Sequence, residues 1–213
     1  MSDQLTLTGA ELALLLSNEP VPVATPLLRV LGITAEDTGD AVGRAALGAL
    51  ILRGLATPGP DRIRFDPAVA AVAEGLMSPR YWIEIGLVAE DTADGAVLVE
   101  GPGERFLLTP RPFHTFDILG VDPAVSVSGP AGPVCTVIQR FLATYQPAVA
   151  SLRVIIPGQD TGPDNTAAFV TAVAAAPGEW AVRTADSEYP ALTEPAGLTH
   201  LSAALEARLP VPR

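Results

Sequence analysis

Lysine is absent from the chain: all 13 basic residues are arginines, set against 24 carboxylates, for a formal net charge of −11. A field of that sign repels phosphate backbones and anionic lipid. The arginines gather nowhere more closely than at Arg62 and Arg64, so no nucleic-acid partner is expected. Missing lysine beside abundant Ala, Gly, Pro and Val fits GC-rich coding as the ordinary cause. Cys135 is the sole cysteine, which excludes an intramolecular disulfide and a multi-thiolate zinc site within one chain. Histidine occurs only at His114 and His200, so a metal site would have to rest on carboxylates. No apolar run approaches the roughly 18 residues that a membrane-spanning helix needs, and Met1-Ser2-Asp3-Gln4 lacks the basic start of a signal peptide. Together these features read as a cytoplasmic chain. Aromatics are sparse at 5% while the apolar fraction is an ordinary 48%, so the core is expected to be aliphatic.

What is present alternates between helical and strand periods. Thr8-Gly9-Ala10-Glu11 is a capping box, in which hydroxyl and carboxylate satisfy each other's exposed amides, and it predicts a helix to about Ser17. Thr25-Pro26 offers a second helix start, and Gly32 its stop. Val42, Leu47, Leu50, Ile51 and Leu55 share one side of a helix predicted from Asp40 to Ala56, with Pro58-Gly59-Pro60-Asp61 forbidding its continuation. Ile63 and Phe65 alternate with arginines as a short strand, and Asp66-Pro67 then caps a helix to about Met77. This order could pass for a winged-helix fragment, but the candidate recognition helix carries only Arg44 and Arg53 beside Asp40.

From Arg80 the period shortens to near two. Tyr81 to Val88 and Ala96 to Glu100 flank Asp94-Gly95, a strong hairpin signal, and Gly101 to Glu104 makes a second turn. Arg105 to Leu108 and Phe113 to Leu119 continue the meander, for three or four antiparallel strands. Ser128 to Pro133 joins turn formers to small uncharged residues and reads as a linker. The expected division is therefore 1–127, helices plus meander, and 133–213, a mixed C-terminal part, unless the two form one continuous domain. In the latter we expect a helix from Pro133 to Tyr145, strands at Arg153 to Ile156 and Trp180 to Arg183, and helices at Asn165 to Ala175 and Pro195 to Arg208. The fold class is α+β: an antiparallel meander flanked by helices, with two similar lobes as one arrangement.

Candidate chemistry is thin. Cys135 lies near a helix start, where the dipole would favour thiolate, with His114 as base and Asp117 as its orienting carboxylate. Its neighbours Val134, Val137 and Ile138 are instead the setting of an inert core thiol. Asp160-Thr161-Gly162-Pro163-Asp164-Asn165 is superficially like a calcium loop but lacks the alternating ligands and closing glutamate. Gly129 to Pro133 cannot cradle phosphate because Pro130 and Pro133 each delete a donor. Glu36-Asp37 and Glu90-Asp91 fall in turns or helix starts, where carboxylates are solvated or capping groups. No catalytic set, metal or cofactor is expected. Tyr81 and Trp82, with Phe113 and Phe116, form the one aromatic concentration, in which an exposed part would mark a partner contact.

The helix over Thr8 to Leu16, the apolar end Leu50 to Leu55 with Arg53-Gly54, the run Arg62-Ile63-Arg64-Phe65-Asp66-Pro67, and Pro79-Arg80-Tyr81-Trp82 opening a meander together resemble the type VII secretion-associated chaperone family of actinobacteria. The resemblance covers roughly residues 5–120; beyond it only the alternation of helices and strands agrees. It implies a central antiparallel sheet flanked by helical bundles, no cofactor, and a helical protein partner, and it assigns no individual residue a role. The leading expectation is a cytoplasmic chaperone or adaptor that holds a secretion substrate without catalysis. Two alternatives stand beside it: a ligand-binding or enzymatic domain with a pocket around His114, Cys135 and Arg111, and a structural subunit of a larger assembly.

Overall fold

The structure, a computed structural model, describes residues 4–17, 24–121, 131–158, 169–176, 178–184 and 187–210. In chain order β1 (Leu5–Thr8) leads into α1 (Gly9–Ser17), α2 (Ala24–Val30), a 3-10 turn at Ala35–Asp37, α3 (Asp40–Leu52), β2 (Ala56–Pro58), β3 (Ile63–Phe65) and α4 (Pro67–Met77). Four strands follow: β4 (Tyr81–Ala89), β5 (Thr92–Glu100), β6 (Arg105–Arg111) and β7 (Thr115–Gly120). Then come α5 (Ala131–Thr144), β8 (Ala148–Ile155), β9 (Phe169–Ala176), β10 (Glu179–Thr184), β11 (Glu188–Thr193) and α6 (Glu194–Glu206). Every pairing whose register is described is antiparallel, so the class is α+β as expected.

Two compact units form, interleaved along the chain. The first draws on Met1–Arg80 and Val99–Gly120, the second on Tyr81–Leu98 and Val121–Arg213. In the first, strands run in the order β1, β7, β6, with the β2–β3 hairpin separate. In the second the order is β5, β4, β8, β9, β10, β11, a six-stranded antiparallel sheet.

The first unit is built on leucine. Leu7, Leu12, Leu15, Leu16, Leu27, Leu50, Leu76 and Leu108 are essentially inaccessible, each contributing about 1.5–3 kcal/mol through burial. The capping box forms as read: Thr8 Oγ1 accepts from the Glu11 amide at 3.1 Å, and Glu11 accepts from the Thr8 amide at 2.8 Å. Its carboxylate is 1% exposed and accepts from Arg53 Nη1 through both oxygens, at 3.0 and 3.1 Å, while Arg53 Nη2 donates to the Thr6 carbonyl at 2.5 Å. One buried carboxylate thus fastens β1, the α1 start and the α3 end together.

Helix α3 stops earlier than its apolar period suggested. Gly54, at φ +72°, lets its amide reach the Ile51 carbonyl and the Leu55 amide reach Leu50, the paired bonds of a Schellman ending. The chain then has residues left to make β2, which pairs with β3 from Ala56↔Phe65 to Pro58↔Ile63. Asp66 caps α4 as expected, accepting from the Ala68 amide at 2.9 Å.

The second unit corrects three readings. Asp94-Gly95 is not the hairpin turn: Glu90-Asp91 turns the chain, and Asp94-Gly95 lies inside β5. A side chain on Gly95 would come within 3.0 Å of the Ile85 carbonyl, so the glycine serves close strand approach. The helix expected over Asn165 to Ala175 is strand β9 from Phe169 onward, paired with both β8 and β10. Alanine's helical preference loses there to ladder pairing on both sides. Strand β11 was not foreseen. On α6, Gly197 faces Trp180, whose ring would meet an added Cβ at 2.7 Å. The linker expected at Ser128 to Pro133 lies outside the described residues as far as Pro130.

Replacing Arg53 by methionine leaves the buried Glu11 charge with only backbone donors. Because Arg53 is itself 42% exposed, the loss is set below that of a fully buried pair, at about 2–3 kcal/mol in urea unfolding. A loss below ~0.5 kcal/mol would show that solvent already screens the pair.

Candidate partner-binding face

Strand β8 pairs with β4 over eight residues, from Trp82↔Ile155 to Ala89↔Ala148. Side chains of paired residues lie on one face, and successive residues alternate. Tyr81, Ile83, Ile85 and Leu87, with Val154, Leu152 and Ala150, therefore share a face on which every one of them is buried. Helix α5 packs against both strands and buries its own Val134, Ile138, Phe141 and Leu142.

The opposite face changes character along its length. At one end Trp82 and Ile155 are 1% and 7% exposed; at the other the paired Val88 and Val149 are 54% and 38% exposed. Between them lie Glu84↔Arg153 and Gly86↔Ser151. Gly86 leaves room for the serine, whose Oγ would stand 2.7 Å from a Cβ there. The result is an apolar pair at the open end, a small polar step, and a charged pair leading to a buried indole.

Glu84 is the electrostatic centre of this face. Desolvation pushes its carboxyl above the ordinary carboxylate range; the Arg153 charge, 3.8 Å away, and the Trp82 Nε1 donor at 3.4 Å pull it back only in part. The folded protein therefore binds the Glu84 proton more tightly than the unfolded chain does.

Of the four aromatics singled out in the sequence, Tyr81, Trp82 and Phe116 are 4%, 1% and 1% exposed and belong to the cores; Phe113 alone is open, at 97%. Phe113 and His114 do not start a strand. They form the turn between β6 and β7 with φ of 62° and 55°, values uncommon for residues with side chains. The His114 carbonyl accepts from the Gly9 amide at 2.9 Å, and its Nδ1 lies 3.3 Å from Asp37 rather than against Asp117. Asp37 is held below the usual carboxylate range chiefly by the Thr34 amide, with desolvation opposing.

Asp117 is engaged elsewhere. It accepts from Arg111 Nε at 2.7 Å and from Thr6 Oγ1 at 2.9 Å, and these bonds, Arg111 first, lower its pKa. Arg111 is thus an ion-pair partner on β6. Cys135 belongs to the second unit, half-buried on α5 beside α6. Burial, reinforced by Glu206, pushes its thiol up to about 11, the opposite of the shift that an activated nucleophile needs. His200, on α6, stacks on Tyr189 with ring centroids 4.3 Å apart. Among the described residues no three His, Cys, Asp or Glu side chains gather to hold a metal, and no helix is long and apolar enough to cross a membrane. The 160–165 loop lies outside the described residues as far as Asp160 to Asn165 are concerned.

Sequence reasoning missed Glu84, Val88, Val149 and Arg153 as one surface. The alternation from Tyr81 to Val88 was visible, but β8 was read only from Arg153 onward, so the partner strand that completes the face was missing.

An α+β fold of two helix-and-sheet units, with an apolar-to-charged sheet face and no gathered catalytic set among its described residues, is the setting in which comparisons with known proteins become informative. No family model and no curated protein matches the sequence. Among solved structures, the type VII secretion system chaperone EspG5 of Mycobacterium tuberculosis, determined in complex with the PE25-PPE41 dimer, matches with a TM-score of 0.63. The match spans 99% of this chain and 98% of that chain at 12% identity. The likeness is one of fold.

The raised Glu84 value fixes a sign. Stability from this group is fullest below the unfolded value of 4.5 and falls as pH rises through the raised folded value. Glu84→Gln should leave the melting temperature near pH 4 unchanged and raise it at pH 8. A fall at pH 8 would mean that the Arg153 attraction outweighs desolvation.

Proposed function

We propose that this chain is a cytoplasmic chaperone or adaptor that binds a helical partner protein, of the secretion-substrate kind, without catalysing a reaction on it. The observation that carries the reading is the full-length fold likeness to a secretion chaperone whose structure was determined with a bound protein dimer. The geometry supports it: an amphipathic helix can lay its apolar stripe on Val88 and Val149, and a basic or amide side chain can meet Glu84. The net charge of −11 favours a client with basic residues flanking that stripe and disfavours nucleic acid. The thiol raised to about 11 argues against the alternative of a catalytic cysteine.

The double variant Val88→Glu, Val149→Glu places two charges where the apolar contact would form, on side chains already open to solvent. Purified from its native host under gentle salt, the tagged wild-type chain should bring down one helical client, and the double variant at least about tenfold less of it. Recovery of the wild-type chain alone would contradict the reading, and equal recovery by both forms would move the contact to another surface.

A further inference from the structure

Helix α4 and strands β1, β6 and β7, all of the first unit, enclose a groove of about 310 Å³, at the small end of the range for ligand pockets. Its lining is mainly apolar: Pro67 and Ala71 from α4, Leu5 from β1, Phe106 from β6 and Ile118 from β7. Arg105 also lines it and is only 6% exposed. Its Nε donates to Glu100 at 2.5 Å, while its Nη1, fully buried, meets no hydrogen-bond acceptor among the described residues. Buried donors in folded proteins nearly always have a partner, so an unmatched guanidinium N–H beside an apolar groove marks a place for an acceptor.

The charges decide what kind of acceptor. Glu100 already neutralises Arg105, the exposed Glu104 stands on the groove lining, and the Asp66 carboxylate occupies the positive N-terminal end of α4 by accepting from Ala68. An anion entering here would meet excess negative charge. A neutral carbonyl oxygen would take the free N–H without that repulsion.

We propose that this groove binds a small neutral molecule bearing one carbonyl acceptor on an apolar chain of about six to eight carbons, of the acyl amide or ketone class, the Arg105 side chain shifting to bring its solvent-closed Nη1 onto that oxygen while the chain lies between α4 and Phe106. The site is independent of the partner-binding face and stands or falls without it.

Octanamide is the probe, titrated into the isotope-labelled full chain and followed by amide chemical shifts. The expected result is saturable shifts centred on Ala68, Ala71 and Phe106, with octanoate binding at least about tenfold more weakly because of the surrounding carboxylates. Arg105→Met should weaken octanamide by at least about tenfold. Should that variant fail to fold, with Glu100 left unpaired, Ala71→Phe decides: it fills the groove, keeps the Arg105–Glu100 pair, and should abolish saturable binding. No saturable shift with octanamide in the wild-type chain, octanoate binding as tightly as octanamide, or unchanged octanamide binding by Ala71→Phe each overturns the proposal.

Discussion

The eight-residue register between β4 and β8 is the constraint on which the candidate face depends. Antiparallel pairing at period two obliges alternate side chains to opposite sides, and the Ile83, Ile85, Leu87, Leu152 and Val154 set commits one side to burial. Everything on the other side follows. Val88 must sit beside Val149, Glu84 beside Arg153, and Gly86 beside Ser151. A one-residue slip of β4 would bring Glu84 into the aliphatic core and turn Ile83, Ile85 and Leu87 outward, so the same hydrophobic pattern that stabilises the sheet also specifies the surface it presents.

The first unit solves a different problem, fastening short helices whose own propensity is too weak to hold them. Glu11 does this by accepting from Thr8 and Arg53 at once, with Arg53 reaching back to Thr6. The β6–β7 turn is anchored to the same start of α1 through the His114 carbonyl and the Gly9 amide. That bond holds the backbone of His114 in the turn, and its ring lies toward Asp37. The ionisable groups that sequence reasoning assembled into a possible triad are thereby distributed among separate tasks: His114 with Asp37, Asp117 with Arg111 and Thr6, Cys135 half-buried on α5.

Local signals with their own chemistry were readable from sequence. Thr8 to Glu11 and Asp66-Pro67 announce helix starts because the bonds they make lie within three residues. The meander was visible from the change of period at Arg80, and the α+β class with it. Signals that depend on distant partners were not. Asp94-Gly95 carries a turn's composition, yet the burial of Val97 to Val99 moves the turn to Glu90-Asp91. Asn165 to Ala175 reads as helix until β8 and β10 are placed on either side of Phe169–Ala176. The Val88–Val149 surface was missed for the same reason, since no local feature of Val149 points to Val88. Aromatic residues were a poor guide to the surface because Tyr81, Trp82 and Phe116 are the large side chains that fill the cores.

The proposed function turns on one claim, that this protein acts through contact rather than through a reactive centre. The most direct measurement places a photo-crosslinking amino acid at position 88 in the native host and, as a comparison, at position 52, where Leu52 is 90% exposed on α3. The account predicts a single discrete adduct from position 88 on illumination, and little or none from position 52. Adducts from position 52 with none from position 88 would contradict it.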